Sequence, residues 1–131
     1  MYAGIDLLPP TLLHGDMYGA NVLMPTRTQH RPRLVDWGSA RVGPAMLDVA
    51  LAAGRHSVGL EAYLRAWQDA AGAPLDPWQA DAGHAWARAF NNAMFVGAVA
   101  SRFGPEPAAA MLDDAEAALA RFGHLLDARP R

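Results

Sequence analysis

The chain reads as an α+β protein that is mostly α: a short strand-forming N-terminal part, then a bundle of helices. Three observations carry that expectation. Before Gly43 the apolar residues come in runs of three or four separated by proline and polar loops, too short for helices and suited to brief strands. From Gly43 onward they recur every three or four residues over much longer stretches. Glycine, proline, serine and aspartate then fall where helices start and stop. The 131 residues contain no internal repeat or composition break and fit one domain, 1–131.

Taken in order, LLPPTLLHG reads as a turn at Pro9 and Pro10 feeding a short apolar approach that delivers His14 to a loop over residues 14–20. Asn21-Val22-Leu23-Met24 and Arg33-Leu34-Val35-Asp36, joined by PTRTQHRP, form a small hairpin. An antiparallel pair would bring its two inner ends, Asn21 and Asp36, to one edge beside the 14–20 loop. Gly43-Pro44 is expected to open a first helix, AMLDVALAAG, with Gly54 as its stop. Ser57 caps a second, whose Leu60, Tyr63, Leu64 and Trp67 share a face before Gly72 to Pro74 end it. Asp76-Pro77 opens a long third helix toward Phe103, with Trp86, Phe90, Met94 and Ala98 as a core stripe. A fourth starts near Glu106. Its buried stripe is Met111, Ala115, Leu119 and Phe122, with Glu106 at the positive end of the helix dipole and Arg121 toward the negative end.

Composition narrows the function classes. A net charge of -2 gives no electrostatic reason to expect a nucleic-acid partner. Without cysteine there is neither a disulfide nor a thiolate metal site, and the five histidines lack the close pairing of a zinc site. The N-terminal MYAGIDLLPP has no basic leader region, and no apolar run approaches membrane-spanning length, so the expected location is the cytoplasm, with no membrane partner. All eleven basic residues are arginine, so any chemistry that needs a lysine amine must draw it from another chain.

The stretch HGDMYGANVL carries the chemistry. His14, Asp16 and Asn21 have the spacing H-x-D-x-x-x-x-N of a kinase catalytic loop, and Asp36-Trp37-Gly38 follows where kinases place Asp-Phe-Gly. By chance that triple would arise roughly once per 10⁴ positions. The strand ending in Asp36, the glycine at 38 and the helix with Asp48 make coincidence much rarer. Phosphoryl transfer needs an acceptor hydroxyl aimed at the γ-phosphate, and a carboxylate at Asp16 can accept that hydroxyl's proton. Magnesium favours oxygen ligands. The amide oxygen of Asn21 and the carboxylate of Asp36 would supply two and leave positions for phosphate and water. Trp37 reads as a packing residue. Asn91 and Asn92, unfavourable in a helix by propensity, either line an acceptor pocket or sit on a solvated face.

Over nearly its whole length the sequence resembles the aminoglycoside phosphotransferase and choline kinase-like family, whose members share a protein-kinase-like fold. LLHGDMYGANVL is similar to that family's catalytic loop and LVDWGSARVGPAMLDVA to its metal-binding segment and the helix after it. The resemblance implies that the chain is a C-terminal lobe and that it transfers phosphate from ATP, with Mg²⁺, to a hydroxyl of a small molecule. It implies Asp16 as the catalytic base, Asn21 and Asp36 as metal and cofactor ligands, His14 as loop support and Asp48 as a brace for the loop. The family's sheet-rich N-terminal lobe, which supplies a phosphate-binding lysine and half of the ATP cleft, has no counterpart in the thirteen residues before His14. A separate N-terminal lobe is therefore an expected partner. The alternatives are a non-catalytic remnant or binding module that retains the lobe's packing, and a fragment of a complete kinase. The acceptor stays open among aminoglycosides, choline, sugars, macrolides and other alcohols. Asp69, Asp76, Asp81, Asp113 and Asp114 are the acidic candidates for gripping a cationic one.

Overall fold

Strand pairing in the first third of the chain produces two small antiparallel ladders rather than one. The computed structural model describes residues 8, 10–24, 26 and 31–129. Strand β1 (Pro10–Leu13) pairs with β4 (Arg41–Pro44), Leu12 facing Val42. Inside that pair lies the expected hairpin, β2 (Val22–Leu23) against β3 (Arg33–Leu34), Val22 facing Leu34. Most of the connection between β2 and β3 lies outside the described residues, as does Pro9. Two expectations change here. Pro10 opens a strand instead of completing a turn, and Gly43-Pro44 closes β4 instead of opening the first helix. Proline suits both places, because a two-stranded ladder is all edge and does not need every backbone donor.

Four α-helices follow among the described residues: α1 (Met46–Ala52), α2 (Val58–Ala71), α3 (Pro77–Phe103) and α4 (Pro105–Asp127). The capping signals act as written in the sequence. Ser57 Oγ accepts from Leu60 N at 3.2 Å, Asp76 Oδ1 accepts from Gln79 N at 2.9 Å, and Gly72 ends α2 at φ 74°. A single residue, Gly104, joins α3 to α4 at φ 93°, so the two long helices fold back as an antiparallel pair. Trp78 Nε1, early in α3, donates to the Leu125 carbonyl late in α4 at 2.7 Å. Farther along, Asp81 takes Arg121 at 3.0 Å and Asp114 takes Arg88 at 2.7 Å.

The core forms where α3 meets α1. Alanines 80, 82, 85 and 87 are buried on α3 and leave room for Leu13, Met46, Leu47 and Ala50, with Leu60 and Phe122 closing the cluster. Gly83 is needed for the same reason: a Cβ there would come within 2.8 Å of Leu8 Cδ1 and 3.3 Å of Met46 Cγ. Of the expected core stripe on α3, Trp86 packs against this cluster, but Phe90 and Met94 do not join it, and small residues fill the rest of the inward face. Phe90 and Met94 stand 38% and 64% exposed. On α4 the buried line runs through Ala108, Ala118 and Phe122, and Leu119 points outward at 60% exposure. Arg121 bonds Asp81 rather than complementing the helix end. Close helix approach explains both shifts, since two long helices joined by one residue meet along alanine.

Two buried polar side chains of α3 hold α1 from either end. Asn91 Nδ2 donates to the Leu47 carbonyl at 2.8 Å, and His84 Nε2 lies 3.0 Å from the Ala53 carbonyl, so that nitrogen carries the proton. Burial pulls the His84 pKa below the ordinary histidine value; the hydrogen bond to Ala53 opposes the shift, Arg88 adds to it, and Asp81 and Arg55 act in opposite directions. A depressed folded-state pKa means the unfolded chain binds the proton more tightly. His84 therefore contributes stability that is fully present above its unfolded pKa, about 6.5, and is lost as pH falls toward the folded value. Denaturant midpoints of the wild type should drop more between about pH 7 and about pH 5.5 than those of His84→Gln, which keeps a donor but cannot titrate. Parallel curves for the two proteins would contradict this.

Candidate functional site

The loop after β1 is fixed by one carboxylate. Asp48, in the first turn of α1, accepts from His14 N through Oδ2 at 2.5 Å and from Gly15 N through Oδ1 at 2.9 Å. Gly15 sits at φ 81°, and a Cβ on it would overlap the Ser39 carbonyl oxygen and lie 2.8 Å from Arg41 Nη1. Glycine is thus required twice, by its backbone angle and by the close passage of the 37–41 segment. The His14 ring is buried, at 2% exposure, and works locally: Nδ1 accepts from Asp16 N at 3.3 Å, and Nε2 donates to the Val35 carbonyl at 2.7 Å. In that arrangement Nε2 is the donor nitrogen of the ring and Nδ1 the acceptor. Trp37 tilts against it with centroids 4.8 Å apart and donates Nε1–H to the Leu34 carbonyl, which is the packing expected of it.

Val35 joins the loop to the hairpin. Its carbonyl takes the His14 bond, and its N–H donates to the Asn21 carbonyl at 3.0 Å. Asn21 ends a one-turn 3₁₀ helix (Gly19–Asn21) that enters β2. Its side-chain nitrogen donates to the Asp16 carbonyl at 2.9 Å and to Asp16 Oδ2 at 3.0 Å. The amide oxygen of Asn21 is thereby turned away from Asp16, and Asp16 Oδ1 is the carboxylate oxygen that Asn21 does not engage.

Asp36, next to Val35, is exposed and has left-handed backbone angles, φ 61° and ψ 63°. That conformation is uncommon for a residue with a side chain, although aspartate tolerates it better than most. A Cβ on Gly38 would reach ordinary contact distance, 3.5 Å, from Asp36 Oδ1, so glycine leaves that side of the carboxylate open. The five residues singled out in the sequence therefore gather around one loop: Asp16 and Asn21 in direct contact, His14 and Asp48 behind them, and Asp36 one residue beyond the Val35 junction. No three histidine, aspartate or glutamate side chains among the described residues cluster closely enough to hold a metal. A metal at this loop would rest on one carboxylate and one amide oxygen, a hard-oxygen set that suits magnesium, an ion that habitually keeps water and phosphate ligands.

A phosphotransferase family model matches residues 4–124. The chain belongs to the phosphotransferase enzyme family. Searches of curated proteins and of solved structures returned no match. No helix of the described residues is long and apolar enough to cross a membrane.

A cavity opens beside the loop. It measures about 330 Å³ and is lined by Gly15, Ser39, Arg41, Phe90, Asn91, Met94 and Phe95. Phe95 meets Tyr18 edge-on with centroids 5.6 Å apart, and Tyr18 lies close enough to Asp16 to feel its charge. Burial first, and the Asp16 carboxylate second, push the Tyr18 pKa above the usual phenol value, so the hydroxyl keeps its proton. A second cavity of about 310 Å³, between the segment after α1 and the α3–α4 pair, is lined by Arg55, His84, Arg88, Arg121 and Asp114 among others. Size does not separate the two. Lining does, because the second cavity's arginines are engaged by Asp81 and Asp114, whereas the first opens on Gly15, the residue before Asp16.

Sequence reasoning assigned Phe90 and Met94 to the core and did not single out Ser39, Arg41 or Phe95. The available signal was the unbroken apolar pair Met94-Phe95 after two asparagines, which no single inward-facing stripe accommodates. Asn91 fits neither expectation alone, since it is buried against Leu47 and also borders the cavity.

The Asp48 brace is testable. Asp48→Asn preserves shape but turns an NH₂ toward one of two backbone N–H groups and removes the charge that strengthens both bonds. The substitution should cost about 1–3 kcal/mol in urea unfolding. It should also accelerate amide hydrogen exchange at His14 and Gly15 while leaving the α3–α4 pair protected. Unchanged exchange at those two amides would show that the loop is held by something else.

Proposed function

We propose that this chain is the C-terminal, substrate-side lobe of a protein-kinase-like phosphotransferase, and that the reaction is Mg²⁺-dependent transfer of phosphate from ATP to a hydroxyl of a small molecule. The observation that carries the reading is the pairing of Asp16 with Asn21, tied through Val35 to the strand end where Asp36 begins. Asn21 holds one oxygen of Asp16, which orients the other to accept the acceptor's hydroxyl hydrogen and then its proton. Asn21 Oδ1 and the Asp36 carboxylate are the residues that would hold magnesium. When bound, the ion neutralises charge on the phosphates and fixes their position. His14 and Asp48 act through the loop backbone. The setting that fits an ATP-dependent enzyme is the cytoplasm.

The reading also calls for a nucleotide-binding lobe. Leu12, Leu23, Met24, Trp37 and Val42 are exposed on the strand-bearing part, apolar surface of the kind that a nucleotide-binding lobe would cover. The chain has no lysine, so that lobe would also bring the phosphate-binding amine. The second reading is a non-catalytic remnant or binding module that retains the lobe's packing.

Two measurements decide. In calorimetric titrations, Mg²⁺ should bind weakly to the wild type. It should bind more weakly still to Asp36→Ala than to Asn21→Ala, because losing a charged ligand removes more attraction than losing a neutral one. Equal affinity in wild type and Asp36→Ala would remove the metal role. The chain alone should show negligible turnover, since most of the rate in phosphoryl transfer comes from positioning and charge neutralisation. A related N-terminal lobe, fused ahead of Met1 or added separately, should restore transfer, and Asp16→Asn should then abolish it. A folded, active fusion that is indifferent to Asp16→Asn would overturn the site, and a folded, inactive fusion would favour the binding module.

A further inference from the structure

The cavity that opens on Gly15, next to Asp16 in the chain, has a chemical character that the family assignment does not supply. Of its seven lining residues, Phe90, Met94 and Phe95 are large and apolar, Ser39 and Asn91 are neutral and polar, and Arg41 is the one ionisable side chain. Phe90 is held by a stacked contact with Trp86, centroids 5.4 Å apart, and Phe95 by its edge contact with Tyr18. Two aromatic rings thus stand at fixed places in the wall. Arg41 gives Nη1 to the Ser39 carbonyl at a long 3.4 Å and makes no ion pair with a carboxylate among the described residues.

None of the five aspartates that might have gripped a cation lines this cavity. Asp81 and Asp114 are committed to Arg55, Arg121 and Arg88, Asp76 caps α3, and Asp69 and Asp113 are exposed. Among the lining residues a polyamine would meet a guanidinium and no carboxylate. The volume, about 330 Å³, lies at the lower end of the range for small-molecule sites, about 300–1,000 Å³, and favours one ring over several.

Building on the phosphotransferase reading, we infer that the acceptor is a small, ring-bearing alcohol with an anionic group, its ring against Phe90 and Phe95 and its anion on Arg41, rather than a polycationic amino sugar. The geometry assigns Arg41 as a specificity-determining residue. The ring would lie between the guanidinium and the Asp16 end of the loop, with the hydroxyl directed to the carboxylate.

Three probes differing only in charge test this: para-hydroxymethylbenzoate, the neutral para-benzenedimethanol and para-hydroxymethylbenzylamine, with kanamycin as the polycation. Each is titrated into the full chain at low ionic strength, without nucleotide or magnesium, and binding is followed by chemical shifts of the aromatic side chains. The benzoate should bind best and the amine worst, with the benzoate at least about threefold tighter than the neutral diol, the scale of a partly exposed charge pair. Arg41→Gln should erase that ratio, and Arg41→Lys should keep its sign. Phe95→Ala should weaken all three ring probes alike. Far-ultraviolet spectra and thermal midpoints check that each variant is folded. Tighter binding of the amine or kanamycin, a charge preference that survives in folded Arg41→Gln, or no binding of any probe would overturn the inference. Lost selectivity with Asp16-dependent transfer intact would sink the acceptor class alone. Intact selectivity with no transfer in the lobe fusion would sink the phosphotransferase reading alone.

Discussion

The Asp48 carboxylate, bonded to the backbone N–H groups of His14 and Gly15, is the contact on which the rest of the site depends. Loops with turned backbones leave donors unpaired, and a partly buried donor left unpaired is costly. One ionised side chain satisfies two of them, and because it accepts from adjacent residues it fixes the orientation of the peptide between them. From that peptide onward the positions follow in sequence. His14 presents Nδ1 to Asp16 and Nε2 to Val35, and Val35 in turn receives its register from Asn21. Asp36, in its left-handed conformation, is the next residue out. Every candidate residue therefore inherits its position from a bond whose acceptor belongs to the helix layer.

That helix layer must be rigid for the arrangement to work, and α1 is too short to be stable unaided. It is held from both sides. The alanine face of α3 lets Met46 and Leu47 approach closely, and Asn91 and His84 bond carbonyls at its two ends. Small residues on the longest helix are what permit this, since a leucine at 82 or 83 would displace α1 and with it Asp48. The α3–α4 hairpin supplies the stiffness, with Trp78 bonded to Leu125 and the arginine–aspartate contacts spaced along its length. These ion pairs are partly exposed and contribute modestly, so the pair is held mainly by its apolar seam.

The α3 face that carries Gly83, Ala87 and Asn91 continues toward the helix C-terminus into larger residues. Phe90, Met94 and Phe95, which a deeper core would have consumed, become the wall of a cavity next to Gly15. The same helix therefore positions the loop through Asn91 and shapes the space in front of it. Arg41 reaches that space from β4, whose pairing with β1 places the 37–41 segment against Gly15. The apolar cavity and the polar loop thus share one support.

Much of this protein is legible in the order of residues alone, because the interactions responsible are local. Ser57, Asp76, Gly72 and Gly104 mark helix ends through contacts within a few residues, and the boundaries of α2, α3 and α4 follow. The loop residues His14, Asp16 and Asn21 are readable for the same reason, their spacing being that of a single turn-rich segment, and the Val22–Leu34 hairpin needs only two short apolar runs. What the order of residues leaves undecided is which positions of a long apolar helix are buried. On α3 Gly83, Ala87, Phe90 and Met94 lie on one face and only the first two are buried, and on α4 Leu119 competes with Ala118. The choice is made by a neighbour's shape: α1 and α4 approach closely enough that only small side chains fit between the backbones. Nor does local pattern foresee that Pro10 and Pro44 face each other across a ladder, or that Arg41 stands beside Gly15. Both depend on pairing residues about thirty positions apart, a geometry that exists only once the chain has closed.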